Sequence, residues 1–371
     1  MIDITPLRME KGVKALIKVI KEEVSKFDRK INIMEVCGTH TMTAYRSGLG
    51  WALRKMGINL ISGPGCPVCV TPDSIISTAA FLLKKYPNVI LASFGDMLKV
   101  PASDGVPLMK LVPAENSEVR IIYSTEEVVK LALENPQKEV VFLAAGFETT
   151  IPSIAWLLKI TKERKIKNIS ILPAMKLVPP PLKAILESGE IELDGFIYPG
   201  HVSVIIGSEP YRFIPEKYGI AGAIAGFEPA DLLFGILSVL RQIRLGKPDV
   251  EIVYKRAVKP DGNPIAKNLM KEVLHVEDVE WRGFGVIPES GLFPEKEFSA
   301  FERFELKPEG VWESKGCRCG DVVKGVAQPE DCPLFKKVCT PDSPRGACMV
   351  SIEGACLIHF KYGEEVFFES D

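Results

Sequence analysis

Short apolar runs alternate with longer amphipathic stretches between residues 31 and 255, the pattern of buried parallel strands joined by covering helices. Apolar runs at 31–36, 59–61, 89–93 and 119–123 predict strands, and the stretches 41–56 and 73–85 predict helices between them. A second series places strands at 139–145, 168–172, 195–198, 220–225 and 251–254. Helices at 152–165 and 229–244 open with Pro152 and Pro229, at the first turn, where a missing N–H costs no hydrogen bond. The class is α/β. Past residue 255 strand and helix signals thin out, Pro and Gly become more frequent, and Cys enters. The expected organisation is two parallel-sheet α/β domains flanked by helices, at 1–125 and 126–255, then a small irregular domain at 256–371 held together by what its cysteines bind.

No apolar run approaches the ~20 residues that cross a bilayer. Residues 1–11 carry charges and lack the continuous apolar core of a secretion signal. A soluble, cytoplasmic protein is expected. The 46 basic and 48 acidic residues leave a formal net charge of -2, which gives no bulk attraction to nucleic acid or to an anionic membrane.

Open parallel sheets bind ligands beyond the carboxyl ends of their strands, and six loops with unusual polar residues fall there. Cys37-Gly38-Thr39-His40, Gly63-Pro64-Gly65-Cys66-Pro67-Val68-Cys69 and Phe94-Gly95-Asp96 follow the first three strands. Gly146-Phe147-Glu148-Thr149-Thr150, Pro199-Gly200-His201-Val202-Ser203 and Gly226-Phe227-Glu228-Pro229 occupy equivalent places in the second series.

Of nine cysteines, three lie in the first fifth of the chain and six in the last 55 residues. Inside a cell such thiols bind metal or react. Cys37 ends a strand just before a helix, where the positive helix end lowers a thiol pKa and favours a nucleophile or soft-metal ligand. His40 is placed to tune it or join it; the plainer reading is a buried structural cysteine beside a satisfied histidine. Cys66 and Cys69 form a CxxC stiffened by Pro67, closer to a redox dithiol than to half a zinc site, against a tight turn with two inert thiols. Glu148, His201 and Glu228 could be acid–base groups or partners of a metal on Cys37, although helix capping would also explain carboxylates and threonines at helix starts.

The carboxyl-terminal cysteines are separated by 12, six, eight and seven residues from Cys319 through Cys332, Cys339 and Cys348 to Cys356, which matches no common zinc spacing. An iron–sulfur cluster tolerates irregular spacing, because a loop-rich wrapper need only bring four thiolates to four corners. Cys319, Cys332, Cys339 and Cys356 are the expected ligands, with Cys317 and Cys348 in reserve.

In order along the chain, these motifs, with Trp281-Arg282-Gly283-Phe284-Gly285, Cys339-Thr340-Pro341 and the segment from Gly346 to Cys356, closely resemble the HypD family of hydrogenase maturation proteins. The resemblance spans nearly the whole chain. It implies a scaffold that, with the small partner HypC, assembles the iron of [NiFe]-hydrogenase with two cyanides and one carbon monoxide, the cyanide arriving from HypF through HypE. It further implies that Cys37 is an iron ligand shared with HypC and that a [4Fe-4S] cluster sits in the third domain. In that picture the cluster exchanges electrons with Cys66 and Cys69, as in ferredoxin:thioredoxin reductase, while His40, Glu148, His201 and Glu228 line the cleft. A thiol–disulfide oxidoreductase and a zinc-stapled binding protein are the competing classes.

Overall fold

The computed structural model describes residues 10–102, 105–298 and 314–363; the first nine residues of the stretch weighed for a secretion signal lie outside them. Five parallel strands form one sheet: β1 (Ile31–Glu35), β2 (Ile58–Ser62), β7 (Gly195–Pro199), β8 (Ala221–Ala225) and β9 (Val250–Ile252), in the order β2-β1-β7-β8-β9. The second sheet is mixed, in the order β10-β11-β6-β5-β3-β4. Its parallel part is β3 (Val89–Phe94), β4 (Glu118–Ile122), β5 (Glu139–Gly146) and β6 (Ile169–Lys176). The antiparallel hairpin β10 (Leu274–Trp281) and β11 (Gly285–Pro294) extends it from β6. The α/β class holds, with both sheets flanked by helices.

The chain leaves the first sheet after β2, builds β3 to β6, and returns for β7 to β9. A boundary at residue 125 therefore does not separate the two sheets, because each of the segments 1–125 and 126–255 contributes strands to both. Hydrophobic periodicity reports that a segment is a strand and carries nothing about which neighbour it pairs with. The β1–β7 pairing, with Ile33 opposite Gly195, is the long-range contact that closes the first sheet.

Two other expectations change. The predicted helix at 41–56 is two helices, Gly38–Arg46 and Leu49–Lys55, separated at Gly48, whose φ of 74° suits glycine. The region after 255 is more regular than expected. Asn263 caps a helix at Pro264–Val273 by accepting from the backbone N–H groups of Ile265 and Ala266, and the hairpin follows. The hairpin hides from a period-2 reading because a register shift between Glu277 and Val279 breaks the alternation.

The outer face of the first sheet buries Ile31, Ile33 and Ile197 against Leu232, Leu233 and Ile236 of the Pro229–Leu245 helix. Its other face, with Met34 and Val36, shares one apolar core with Val322, Val323 and the carboxyl-terminal cysteines. The cysteine-rich segment is thus packed onto the strand that leads to Cys37. Among the described residues no helix is long and apolar enough to cross a membrane.

Candidate functional site

Strand order reverses direction beside β1 and again beside β3, and crevices open at such switch points beyond the strand ends. The loops after β1, β2 and β7 of the first sheet and after β5 of the second converge on an open cleft of about 460 Å³. Cys37, Thr39, Phe147, Thr149, Thr150, His201 and Glu353 are among its lining residues.

Cys37 has extended backbone and is the cap residue of the Gly38–Arg46 helix, as the motif position implied. Its N–H donates to Glu35 Oε2 at 3.0 Å, and the Thr41 hydroxyl donates to the other oxygen of the same carboxylate. Glu35 is 1% exposed, and burial pushes its carboxyl up to about 8. The thiol pKa expected to be low is instead pushed up to about 12, first by burial and then by the Glu353 carboxyl. A helix end counts for less than desolvation here.

Close backbone approach joins this loop to the CxxC. Gly38 N–H donates to Gly65 O at 3.1 Å, and a Cβ on Gly65 would lie 2.3 Å from the Cys37 nitrogen. Cys66 and Cys69 are disulfide-bonded around the short Pro67–Val70 helix, and both are buried. Arg282 clamps this turn: Nε donates to Cys69 O at 2.9 Å, Nη2 to Thr71 O at 2.7 Å, and Nη1 pairs with Asp73. Burial opposes its charge, but Cys319, Asp73 and Cys348 hold it protonated.

Behind the disulfide, a cavity of about 10 Å³ is lined by Cys66, Cys69, Cys348 and Glu353. Cys319 Sγ lies 2.9 Å from Cys348 Sγ. Cys317 also contacts Cys319, and a Cβ on Gly346 would lie 2.8 Å from the Cys317 sulfur. Cys332, Cys339 and Cys356 complete the buried group, and Arg345 N–H donates to Cys339 Sγ at 3.3 Å. Soft sulfur donors, backbone N–H and a facing guanidinium suit the donor set of an iron–sulfur cluster.

His40 is fully buried and does not line the cleft. Its Nε2–H donates to Gly226 O at 3.0 Å, while Nδ1 has no partner among the described residues. Burial lowers its pKa to about 4. The Phe227 ring lies against both His40 (centroids 4.8 Å apart) and the exposed His201 (4.2 Å). His201 reaches the cleft and His40 braces it through Phe227.

Glu148 turns inward: both its carboxylate oxygens accept from Val178 N–H, at 3.0 and 3.3 Å, and burial raises it to about 7. Glu228 caps the Pro229–Leu245 helix in a capping box with Asp231 and is not among the cleft-lining residues. Glu35, Glu353 and Arg282 lay unassigned inside the motifs. A carboxylate ending an apolar strand, and another in the glycine-flanked segment between Cys348 and Cys356, were the available signals.

Comparison with known proteins identifies the family. The family model described as HypD, hydrogenase formation hypA family, matches residues 11–363. A hydrogenase expression/formation protein HupD from Azotobacter chroococcum is 45% identical over 91% of this chain and 90% of its own length. A hydrogenase maturation factor HypD from Cupriavidus necator is 41% identical over 90% of each chain. A putative hydrogenase expression/formation protein from Methanocaldococcus jannaschii is 41% identical over 94% of this chain and 98% of its own. The chain belongs to the HypD family of hydrogenase maturation factors.

Proposed function

We propose that this maturation factor is the scaffold on which hydrogenase iron receives two cyanides and a carbon monoxide, with Cys37 as the ligand that carries the iron. The carrying observation is that Cys37 opens into the cleft while the Cys66–Cys69 disulfide lies directly behind its loop. A thiolate suits low-spin iron with π-acceptor ligands. Cys37 offers the iron one thiolate, and its further ligands are proposed to come from outside this chain. HypC is the proposed source, and HypE the transient cyanide donor. The work is proposed to take place in the cytoplasm.

Four of the six carboxyl-terminal cysteines would hold a [4Fe-4S] cluster, which supplies electrons singly when bound. Opening the Cys66–Cys69 disulfide takes up two electrons and two protons. Glu353 reaches both the cleft and the cavity behind the disulfide, which suits it to pass protons between them. Thiol–disulfide exchange on a protein substrate is less favoured, because Cys66 and Cys69 are 4% and 2% exposed and exchange needs an accessible sulfur.

Infrared spectroscopy of the anaerobic complex with HypC tests the reading. Cyanide and carbonyl bands are expected in the native complex and absent in Cys37→Ala. Bands retained in the variant remove Cys37 as the ligand, and zinc without iron or acid-labile sulfide overturns the scaffold reading altogether.

A further inference from the structure

The cleft beside Cys37 is chemically uneven. The first sheet contributes carbon surface to it: Val36, Val202, Val204 and Ile205. The loop after β5 of the second sheet contributes the hydroxyls of Thr149 and Thr150. Neither hydroxyl has a hydrogen-bond partner among the described residues. The third cleft hydroxyl, on Thr39, is already committed to Glu353 Oε1 at 2.8 Å.

The β5 loop holds Thr150 in place. Thr150 N–H donates to Phe147 O at 2.8 Å, and Thr150 packs over Gly146, where a Cβ would come 2.7 Å from Thr150 Cβ. Thr150 is thereby pre-placed, and it and its neighbour Thr149 both line the space that Cys37 lines.

Iron-bound cyanide is anionic, and its nitrogen accepts hydrogen bonds; bound carbon monoxide hardly accepts at all. An acceptor moved out of water without a donor is destabilised, whereas a threonine hydroxyl can rotate to supply a donor. We propose that Thr149 and Thr150 receive the two cyanide nitrogens of the iron carried on Cys37 and so fix which ligand positions face the second sheet. The proposal rests on the reading of Cys37 as the iron ligand. The two hydroxyls are specificity-determining groups: they reward cyanide and give carbon monoxide nothing.

The test is infrared spectroscopy of the anaerobic complex with HypC, in H2O and D2O, with Cys37 intact. In the chain carrying Thr149→Val and Thr150→Val, near-isosteric changes at positions that are not buried, both cyanide bands are expected to shift and to lose their response to deuterium. Thr149→Ser with Thr150→Ser keeps the hydroxyls and is expected to keep that response. Cyanide bands at native positions with native deuterium sensitivity in the double valine chain overturn the assignment while leaving Cys37 as ligand. A native complex without cyanide bands overturns both.

Discussion

The Thr39 hydroxyl donates a 2.8 Å hydrogen bond to Glu353, tying the cysteine-rich tail to the loop that carries Cys37. The adjacent turn is held from the other sheet, where Asp96 Oδ2 accepts from Ile352 N–H at 3.1 Å. One short segment thus bridges both sheets at the mouth of the cleft.

Glu353→Ala is expected to destabilise the protein by about 1–3 kcal/mol, since it removes the acceptor of the Thr39 hydrogen bond. Gly38→Ala acts at the same junction, because its Cβ would lie 2.1 Å from the Glu353 carbonyl oxygen; overpacking there is expected to cost about 1–3 kcal/mol. Urea unfolding measures both, and midpoints equal to the native one would mean that the tail is not fastened here.

His40 sets an acid limit on stability. Its pKa is lowered from 6.5 to about 4 by burial, so the unfolded chain takes up a proton that the folded chain refuses. Its contribution is complete above about pH 6.5 and is lost as pH falls toward 4. Between about pH 7.5 and 5 the loss is about 2 kcal/mol. His40→Gln is expected to flatten this limb in unfolding curves taken at the two pH values. It should also loosen Phe227 and with it His201. An unchanged acid limb would show that His40 is accessible to protons in the folded state.

Glu148 has the opposite sign. Burial raises its carboxyl from 4.5 to about 7, so folding favours the protonated form, and its contribution is present below about pH 4.5 and lost as pH rises through 7. Glu148→Gln keeps an acceptor for the Val178 N–H and removes the buried charge. The variant is expected to gain on the order of 3 kcal/mol relative to native between about pH 5 and 8. Parallel pH profiles for the two chains would count against a buried, uncompensated Glu148.

Strands β1 to β9 were legible because each is a local apolar run, as at β5 (Glu139–Gly146) and β8 (Ala221–Ala225). The partnering of β1 with β7 was not, because nothing in either run encodes a neighbour 162 residues away. Cys37 and the CxxC were legible as rare side chains flanked by glycine. The role of His40 was not, because its direction depends on Gly226 and Phe227, which the fold brings in from beyond β8. For Glu228 the capping alternative describes the fold: it caps a helix and stands outside the cleft lining.

Among the six carboxyl-terminal cysteines a chain of contacts runs from Cys317 through Cys319 and Cys348 to Cys356. Thiolates on different irons of one cube are held apart by its core, whereas Cys319 and Cys348 touch at 2.9 Å, and Cys348 shares a cavity with Cys66 and Cys69. Cys319 and Cys348 are then not both cluster ligands, and assigning this inner pair to the disulfide leaves Cys317, Cys332, Cys339 and Cys356 as the set to test against the sequence-based set with Cys319. Serine at any of the four is expected to lower iron and acid-labile sulfide to a small fraction of native. Cys319→Ser and Cys348→Ser are expected to retain both while slowing reduction of Cys66–Cys69 by a low-potential electron donor, followed by thiol titration. Loss of the cluster from Cys319→Ser together with its retention in Cys317→Ser would restore the sequence-based set, because only a ligand thiolate should be indispensable to the metal while a relay thiol is indispensable only to electron flow.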